Sequence, residues 1–328
     1  MSIHIGNLPS DWRCIVQMAE DAGAVAVGVA RASAVPDHIF QRYVSWVQSN
    51  ASAEMTYLRK NLPERRDPTS CGVVQFATTV VSLAFPYARN NTLPPIWTFV
   101  SDHAAGRDYH KTIRQRLKQI ANQLSIHFSN TSSRIFVDSG PVMERTWATL
   151  CGVGTPGRNG MIIVPGFGPQ VLLGEIILAT PKIAPPAMEI ATGEPFANCH
   201  DCNRCIESCP THALRADGTI NVRKCLSYIT IEKQSFIPPS DVLNKIEKIF
   251  GCDKCVSACP HNRPLGSIIE PPSTENLAAS LEELINLPSQ TLQTRIQGTC
   301  LFRTGAEQIQ RTARQILKNI ASKQENTR

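Results

Sequence analysis

The sequence predicts an α+β chain: a sheet-and-helix domain, then a compact cysteine-rich domain, then a helical tail. Three observations predict it. Apolar strand-like runs alternate with helical periods from about residue 10 to 180. Eight cysteines are then crowded between residues 199 and 259. Beyond residue 266 the chain reads as helix throughout.

In the first part, "DWRCIVQMAEDAG" puts Ile15, Met18, Ala19 and Ala22 on one helical face and ends in Gly23, a C-terminal cap residue. "AVAVGVA" reads as a buried strand, and "PDHIFQRYVSWVQSN" as a helix opened by Pro36. "TTVVSLAFPY" is a second buried strand. In "GRDYHKTIRQRLKQIANQLSIHF" the stripe Ile113, Leu117, Ile120, Leu124 and Phe128 predicts a long amphipathic helix. "RIFVD", "GMIIVP" and "VLLGEIIL" supply further strands, with "PVMERTWATLC" a helix between the first two. "PKIAPPAMEIATGEP" breaks every period with four prolines and reads as a linker. The tail holds "LAASLEELINL" and "AEQIQRTARQILKNIA". The boundaries are therefore set at 1–180, a linker at 181–195, the cysteine-rich domain at 196–265 and the tail at 266–328.

The 328 residues suffice for a proper core, and 42% hydrophobic with 18% charged residues is a globular composition. No run of eighteen apolar residues occurs, so no transmembrane helix is expected. "MSIHIGNLPSDWRC" has neither a basic n-region nor a long apolar stretch, so we expect no export signal and a cytoplasmic location. There thiols stay reduced, and clustered cysteines mean metal or redox chemistry, not disulfides. The net charge of +6 permits an anionic partner without demanding one.

Cys199, Cys202, Cys205 and Cys209-Pro210 match the bacterial ferredoxin run C-x2-C-x2-C-x3-C-P, whose fourth cysteine serves the other cluster in two-cluster ferredoxins. The second run, Cys252-x2-Cys255-x3-Cys259-Pro260, lacks one cysteine at its front, and Cys225 is the replacement. Exchanging the last cysteine of each run gives two closed sets for two 4Fe-4S clusters: Cys199, Cys202, Cys205 with Cys259, and Cys209 with Cys225, Cys252, Cys255. Structural zinc is the alternative, since C-x2-C knuckles bind it too, but zinc gives no reason to keep the interchange intact. Cys14, Cys71, Cys151 and Cys300 stand singly on apolar segments, as small buried hydrophobes do.

A two-cluster module is a wire, and some 190 residues precede it. "GRDYHK" (106–111), "FVDSGPVMER" (136–145), "LLGEI" (172–176), "CLSYITIEK" (225–233), "IFGCDKCVSACPHNR" (249–263) and "GTCLFRTG", with the first cysteine run, resemble the epoxyqueuosine reductases in the same order. The resemblance implies a cobalamin-binding α/β domain ahead of the clusters. It also implies reduction of epoxyqueuosine in the tRNA wobble position, the epoxide oxygen leaving as water with two electrons and two protons. The implied partners are the anticodon stem-loop of tRNA and an external electron donor such as a flavodoxin or ferredoxin; the chain would act as a monomer.

By the same resemblance Asp138 is the proton donor and contacts the cofactor, which needs a carboxyl pKa raised by burial. The competing role is a cap for the helix that begins near Pro141. Arg145, Ile162, Leu173, Ser227, Cys252 and Asp253 match positions around the cobalamin, although Ile162 and Leu173 are equally core residues. Tyr228, Glu232 and Lys233 fall where the family faces tRNA. No D-x-H-x-x-G motif offers a histidine to cobalt, and His103, His110, His200 and His261 need only ordinary polar contacts. The loop "GTPGRNG" (154–160) departs from the family pattern, Arg158 replacing a lysine, and resembles the corrinoid reductive dehalogenases. Reduction of a small molecule is the alternative activity it suggests; electron transfer without a catalytic centre is a third.

Overall fold

The computed structural model describes residues 3–49, 52–70, 72–188, 196, 198–232, 237–263, 266–272 and 277–325. Cys71, Lys233 and residues 189–195 of the proline-rich segment lie outside the described residues.

A five-stranded sheet carries the first part of the chain. Its strands are β1 (His4–Ile5), β2 (Ala26–Arg31), β3 (Thr79–Pro86), β4 (Ser132–Phe136) and β7 (Val171–Ala179), in the order β1-β2-β3-β7-β4. Only β1 and β2 are parallel; β3 runs antiparallel to both of its neighbours, and β4 antiparallel to β7. "GMIIVP" joins a separate ribbon instead, β5 (Thr155–Pro156) with β6 (Ile162–Ile163). Pro156 and Pro165, which lack a backbone donor, bracket a run too short to extend the sheet.

Alternation along the strands divides the core in two. Val27, Val29, Val81, Leu83, Phe85, Ile176 and Leu178 face α1 (Cys14–Asp21) and α4 (Tyr109–His127). Ala26, Ala30, Val80, Ala84 and Ile177 face α2 (Asp37–Gln48) and α5 (Glu144–Leu150), and α3 (Leu62–Arg66) lies between α2 and β3 in the chain. Helix α4 follows its predicted stripe, with Ile113, Leu117, Ile120 and Leu124 buried. Gly28 is required where β2 meets the end of α5: a Cβ there would stand 2.0 Å from the Cys151 carbonyl oxygen.

The cysteine-rich segment contributes α6 (Arg204–Glu207), α7 (Leu226–Ile231), α8 (Ser240–Leu243) and α9 (Lys254–Ser257). It is sewn to the sheet side by a parallel bridge between Val100 and Phe250, with Ile249 N–H donating to Phe99 O at 2.7 Å and Ser101 N–H to Phe250 O at 2.9 Å. The tail folds as α10 (Leu281–Asn286), α11 (Ser289–Arg295) and α12 (Ala306–Glu325). Its buried Leu284, Ile309, Ala313 and Ile316 belong to the same core as α1, α4 and α7. No helix among the described residues is long and apolar enough to cross a membrane.

Candidate active site

Each C-x2-C run leads into a single helical turn, α6 or α9, and the two turns pack against each other. That contact interleaves the runs. Cys199, Cys202, Cys205 and Cys259 line one small cavity together with Asn159, Ile163 and His261. Cys209, Cys225, Cys252 and Cys255 form the second group. Burial pushes the Cys252 thiol up to about 11, and the neighbouring Cys225 and Cys209 add to it; Cys255 is raised for the same reasons. Four thiols held this close resist ionising together unless cations lie between them. At Cys209 burial acts in the same direction, but N–H and O–H groups aimed at the sulfur, including Ala213 N–H at 3.3 Å, bring its pKa below the usual value.

The second centre forms where β4 ends. Asp138 takes a left-handed backbone, φ 55°, and its N–H donates to Glu144 Oε1 at 2.5 Å. It does not cap the next helix: α5 starts at Glu144, six residues on, with Met143 at the cap position. The start of α4 supplies its partners. Tyr109 Oη donates to Asp138 Oδ2 at 3.2 Å, and His110 Nε2 lies 3.2 Å from the same oxygen. His110 Nδ1 is 2.7 Å from Asp108 Oδ1, and the Asp108 carboxylate also accepts the His110 N–H as the N-cap of α4. Both imidazole nitrogens thus face oxygens that only accept, so both carry hydrogen and the ring is an imidazolium. Burial favours the neutral ring, but the hydrogen bonds to Asp108 and Asp138 prevail and raise His110 to about 11.

This reverses one expectation. The His110 hydrogen bond holds the Asp138 carboxyl below its ordinary range, outweighing burial, which acts the other way. Asp138 is therefore ionised, its side chain 52% exposed, and the pair's proton rests on His110. The tail completes the arrangement: Asp108 N–H donates to Gly298 O at 2.9 Å, and Cys300 Sγ lies 3.6 Å from Asp108 Oδ1.

Two family models match, one described as epoxyqueuosine reductase QueG, DUF1730, over residues 65–139, the other as a 4Fe-4S double cluster binding domain over residues 198–262. The epoxyqueuosine reductase of Cyclobacterium marinum is 32% identical over 262 residues, 79% of this chain and 81% of the relative. The chain belongs to the epoxyqueuosine reductase family. The Gloeobacter violaceus epoxyqueuosine reductase is 30% identical over 313 residues, covering 92% and 94% of the two chains. Among solved structures, the epoxyqueuosine reductase of Streptococcus thermophilus superposes with a TM-score of 0.79 at 27% identity, over 93% of this chain and 80% of that one. An epoxyqueuosine reductase solved with an epoxyqueuosine-modified tRNA-Tyr stem loop superposes with a TM-score of 0.76 at 23% identity, over 94% and 82%.

Epoxyqueuosine reductases use two 4Fe-4S clusters and cobalamin, and the residues here fit both. The two cysteine groups supply a complete thiolate set for each cluster. Of the residues expected around the cofactor, Arg145 is exposed and donates to Gly160 O at 2.5 Å, while Ile162 is buried and Leu173 part-buried in the same apolar cluster. The histidines near Asp138 are engaged: His103 is enclosed among Tyr87, Tyr109 and Phe250, and His110 is held by two carboxylates. A corrin here would meet hydrocarbon, hydroxyl and carboxyl groups. Ser227 and Cys252 are part-buried. Asp253 is otherwise committed, bonding Lys248 Nζ at 2.8 Å and the Asp102 N–H at 3.2 Å, which pins the second cysteine run to the sheet side.

Of the residues expected to face tRNA, the two described ones have partners within the chain. Tyr228 is 5% exposed with its hydroxyl on Glu54. Glu232 is paired with Arg303 at 2.5 Å and accepts from Tyr57. Arg158 turns toward the cysteine segment, donating to His200 O at 2.9 Å and Ala216 O at 3.1 Å above the Phe196 ring. The departure from lysine thus fastens the "GTPGRNG" loop to the first cluster's segment. A groove of about 710 Å³ lined by Gln75, Phe76, Ser132 and Thr180 opens at the other end of β4 and β7 from Asp138.

Proposed function

We propose that this protein reduces epoxyqueuosine to queuosine in the wobble position of tRNA. Both epoxide C–O bonds break, a C=C bond forms, and the oxygen leaves as water with two electrons and two protons. When bound, the clusters would deliver electrons singly to cobalamin, whose reduced cobalt supplies the reducing power at the substrate carbon. Cys199, Cys202, Cys205 and Cys259 would hold one cluster, and Cys209, Cys225, Cys252 and Cys255 the other. Arg145, Ile162, Leu173, Ser227 and Cys252 would border the cobalamin, with Asp253 supporting the loop that carries Cys252.

One observation carries the chemistry: a half-exposed carboxylate backed by an imidazolium. Substrate covering the half-exposed Asp138 excludes water, which disfavours the charged pair and moves the proton from His110 Nε2 to Asp138 Oδ2. Asp138 then gives it to the departing oxygen, and Tyr109 Oη keeps the carboxyl aimed. A solved family member carries a modified tRNA stem loop, and this supports tRNA as the partner. An external flavodoxin or ferredoxin, a monomeric state and a cytoplasmic location complete the proposal. So does a division into a cobalamin domain (1–180), linker (181–195), cluster domain (196–265) and tail (266–328). Within it, the shared core supports a tail packed as part of the first domain.

Asp138→Asn tests the assignment. Asparagine adopts the left-handed backbone readily and keeps the side chain's size. The variant is expected to fold, bind cobalamin and retain both clusters, yet lose about 10²–10⁴-fold in turnover of epoxyqueuosine-containing tRNA. Near wild-type turnover would return Asp138 to a purely structural role.

A further inference from the structure

Below Asp138 lies a second pair of carboxyls that the reaction scheme does not use. Glu175 sits in the middle of β7, in register with Ser82 of β3 and Phe136 of β4. It is wholly buried, and Ser82 Oγ donates to its Oε1 at 3.1 Å. No donor among the described residues reaches its other oxygen, Oε2. Helix α5 packs on β7 and brings Glu144, at its start, beside Glu175, while Glu144 Oε1 accepts the Asp138 N–H.

Two ionised carboxylates cannot hydrogen-bond, because both only accept. A proton placed between them makes one a donor and satisfies the orphaned Glu175 oxygen. Groups facing the pair reinforce this. Asp138, after β4, puts a negative charge beside Glu144, and the Cys151 thiol and Tyr109 hydroxyl stay neutral; Arg145 is the compensating cation. Burial first, and the Asp138 charge second, push Glu144 up to about 8, and Glu175 is raised by burial and by Glu144.

We propose that Glu144 and Glu175 share a proton at neutral pH and, as a positioning pair, latch the Asp138 loop in its left-handed conformation. The left-handed backbone is open to Asp and Asn but is less favourable than the right-handed one, so it is kept by what surrounds it. Glu144 provides the hold through the Asp138 N–H. Loss of the shared proton leaves two anions in contact inside the protein; Glu144, the less buried one, swings toward water and releases the loop. The inference rests on Asp138 being the acid, but the shared proton does not.

The test uses the complete protein under anaerobic conditions, with infrared spectra of ¹³C-glutamate-labelled samples and the pH profile of single-turnover rate. At pH 7 the wild type is expected to show a protonated-carboxyl band that vanishes in both Glu144→Gln and Glu175→Gln. Glutamine at 144 reproduces the protonated glutamate, accepting from Asp138 and donating to Glu175. The wild-type rate is therefore expected to fall about 10-fold per pH unit above about 8, and Glu144→Gln to postpone that fall toward the His110 range near 11. Glu144→Ala removes the latch and is expected to lose about 10²-fold at every pH, the scale of a misplaced catalytic group. Absence of the band at pH 7 overturns the shared proton whatever Asp138 does. A band with an unchanged alkaline limb in Glu144→Gln overturns the latch.

Discussion

Replacing His110 with glutamine removes the proton from the Asp138 pair while keeping a side chain of similar length. The imidazole's pKa of about 11 in the folded chain stands against 6.5 for an ordinary histidine. A pKa raised by folding contributes stability that is fully present below pH 6.5 and is lost as pH climbs from 6.5 toward 11. At 1.36 kcal/mol per unit, the whole shift sets a ceiling of about 6 kcal/mol. Two facts reduce it. Hydrogen bonds to charged groups contribute about 1.5–3 kcal/mol each, and the Asp138 half of the arrangement is open to screening solvent. We expect His110→Gln to be about 2–3 kcal/mol less stable than wild type at pH 6.5 in denaturant titrations, the gap closing as pH approaches 11. Single-turnover reduction of epoxyqueuosine-containing tRNA is expected to fall about 10²–10⁴-fold, with cluster and cobalamin content unchanged. A variant that tracks the wild-type stability curve at every pH and turns over at the wild-type rate would refute the pairing.

If the runs interleave as the two cysteine groups indicate, Cys259→Ser and Cys199→Ser are expected to damage one cluster, and Cys209→Ser and Cys225→Ser the other. Iron content and electron paramagnetic resonance of the four variants distinguish them; Cys259 sharing a cluster with Cys252 would break the assignment. Binding of tRNA is expected to weaken steeply with salt as counterions return to the phosphates, and Lys233→Ala to lower both the affinity and the slope. Affinity indifferent to ionic strength would point to a small-molecule substrate.

The spacing of the cysteines was enough to anticipate which of them lie together, because each run leads into a single helical turn, α6 or α9. Asp138 was readable through the family motif but its ionisation was not, since that depends on His110, 28 residues away, across the start of α4. The signal for His110 was present: the contiguous Asp-Tyr-His of "GRDYHK" places a cap residue and two side chains at one helix start. Read singly, the histidine earned only ordinary contacts. Glu175 carried a signal too, a glutamate inside the otherwise apolar strand "VLLGEIIL", whose meaning depends on the register that sets it against Ser82. The mainly antiparallel sheet order was beyond the periodicity, which gives faces but not neighbours. The burial of Tyr228 on Glu54 was equally hidden, because its partner lies 174 residues earlier.

The junction between the "GRDYHK" motif and the tail bears on how the protein is made. Asp108, which orients His110, is held by Gly298 and approached by Cys300. The Asp108 N–H therefore finds its backbone partner only in the tail, although Asp108, His110 and Asp138 all belong to the first part of the chain. In the order of synthesis, this last support of the Asp108–His110–Asp138 arrangement comes after both cysteine runs.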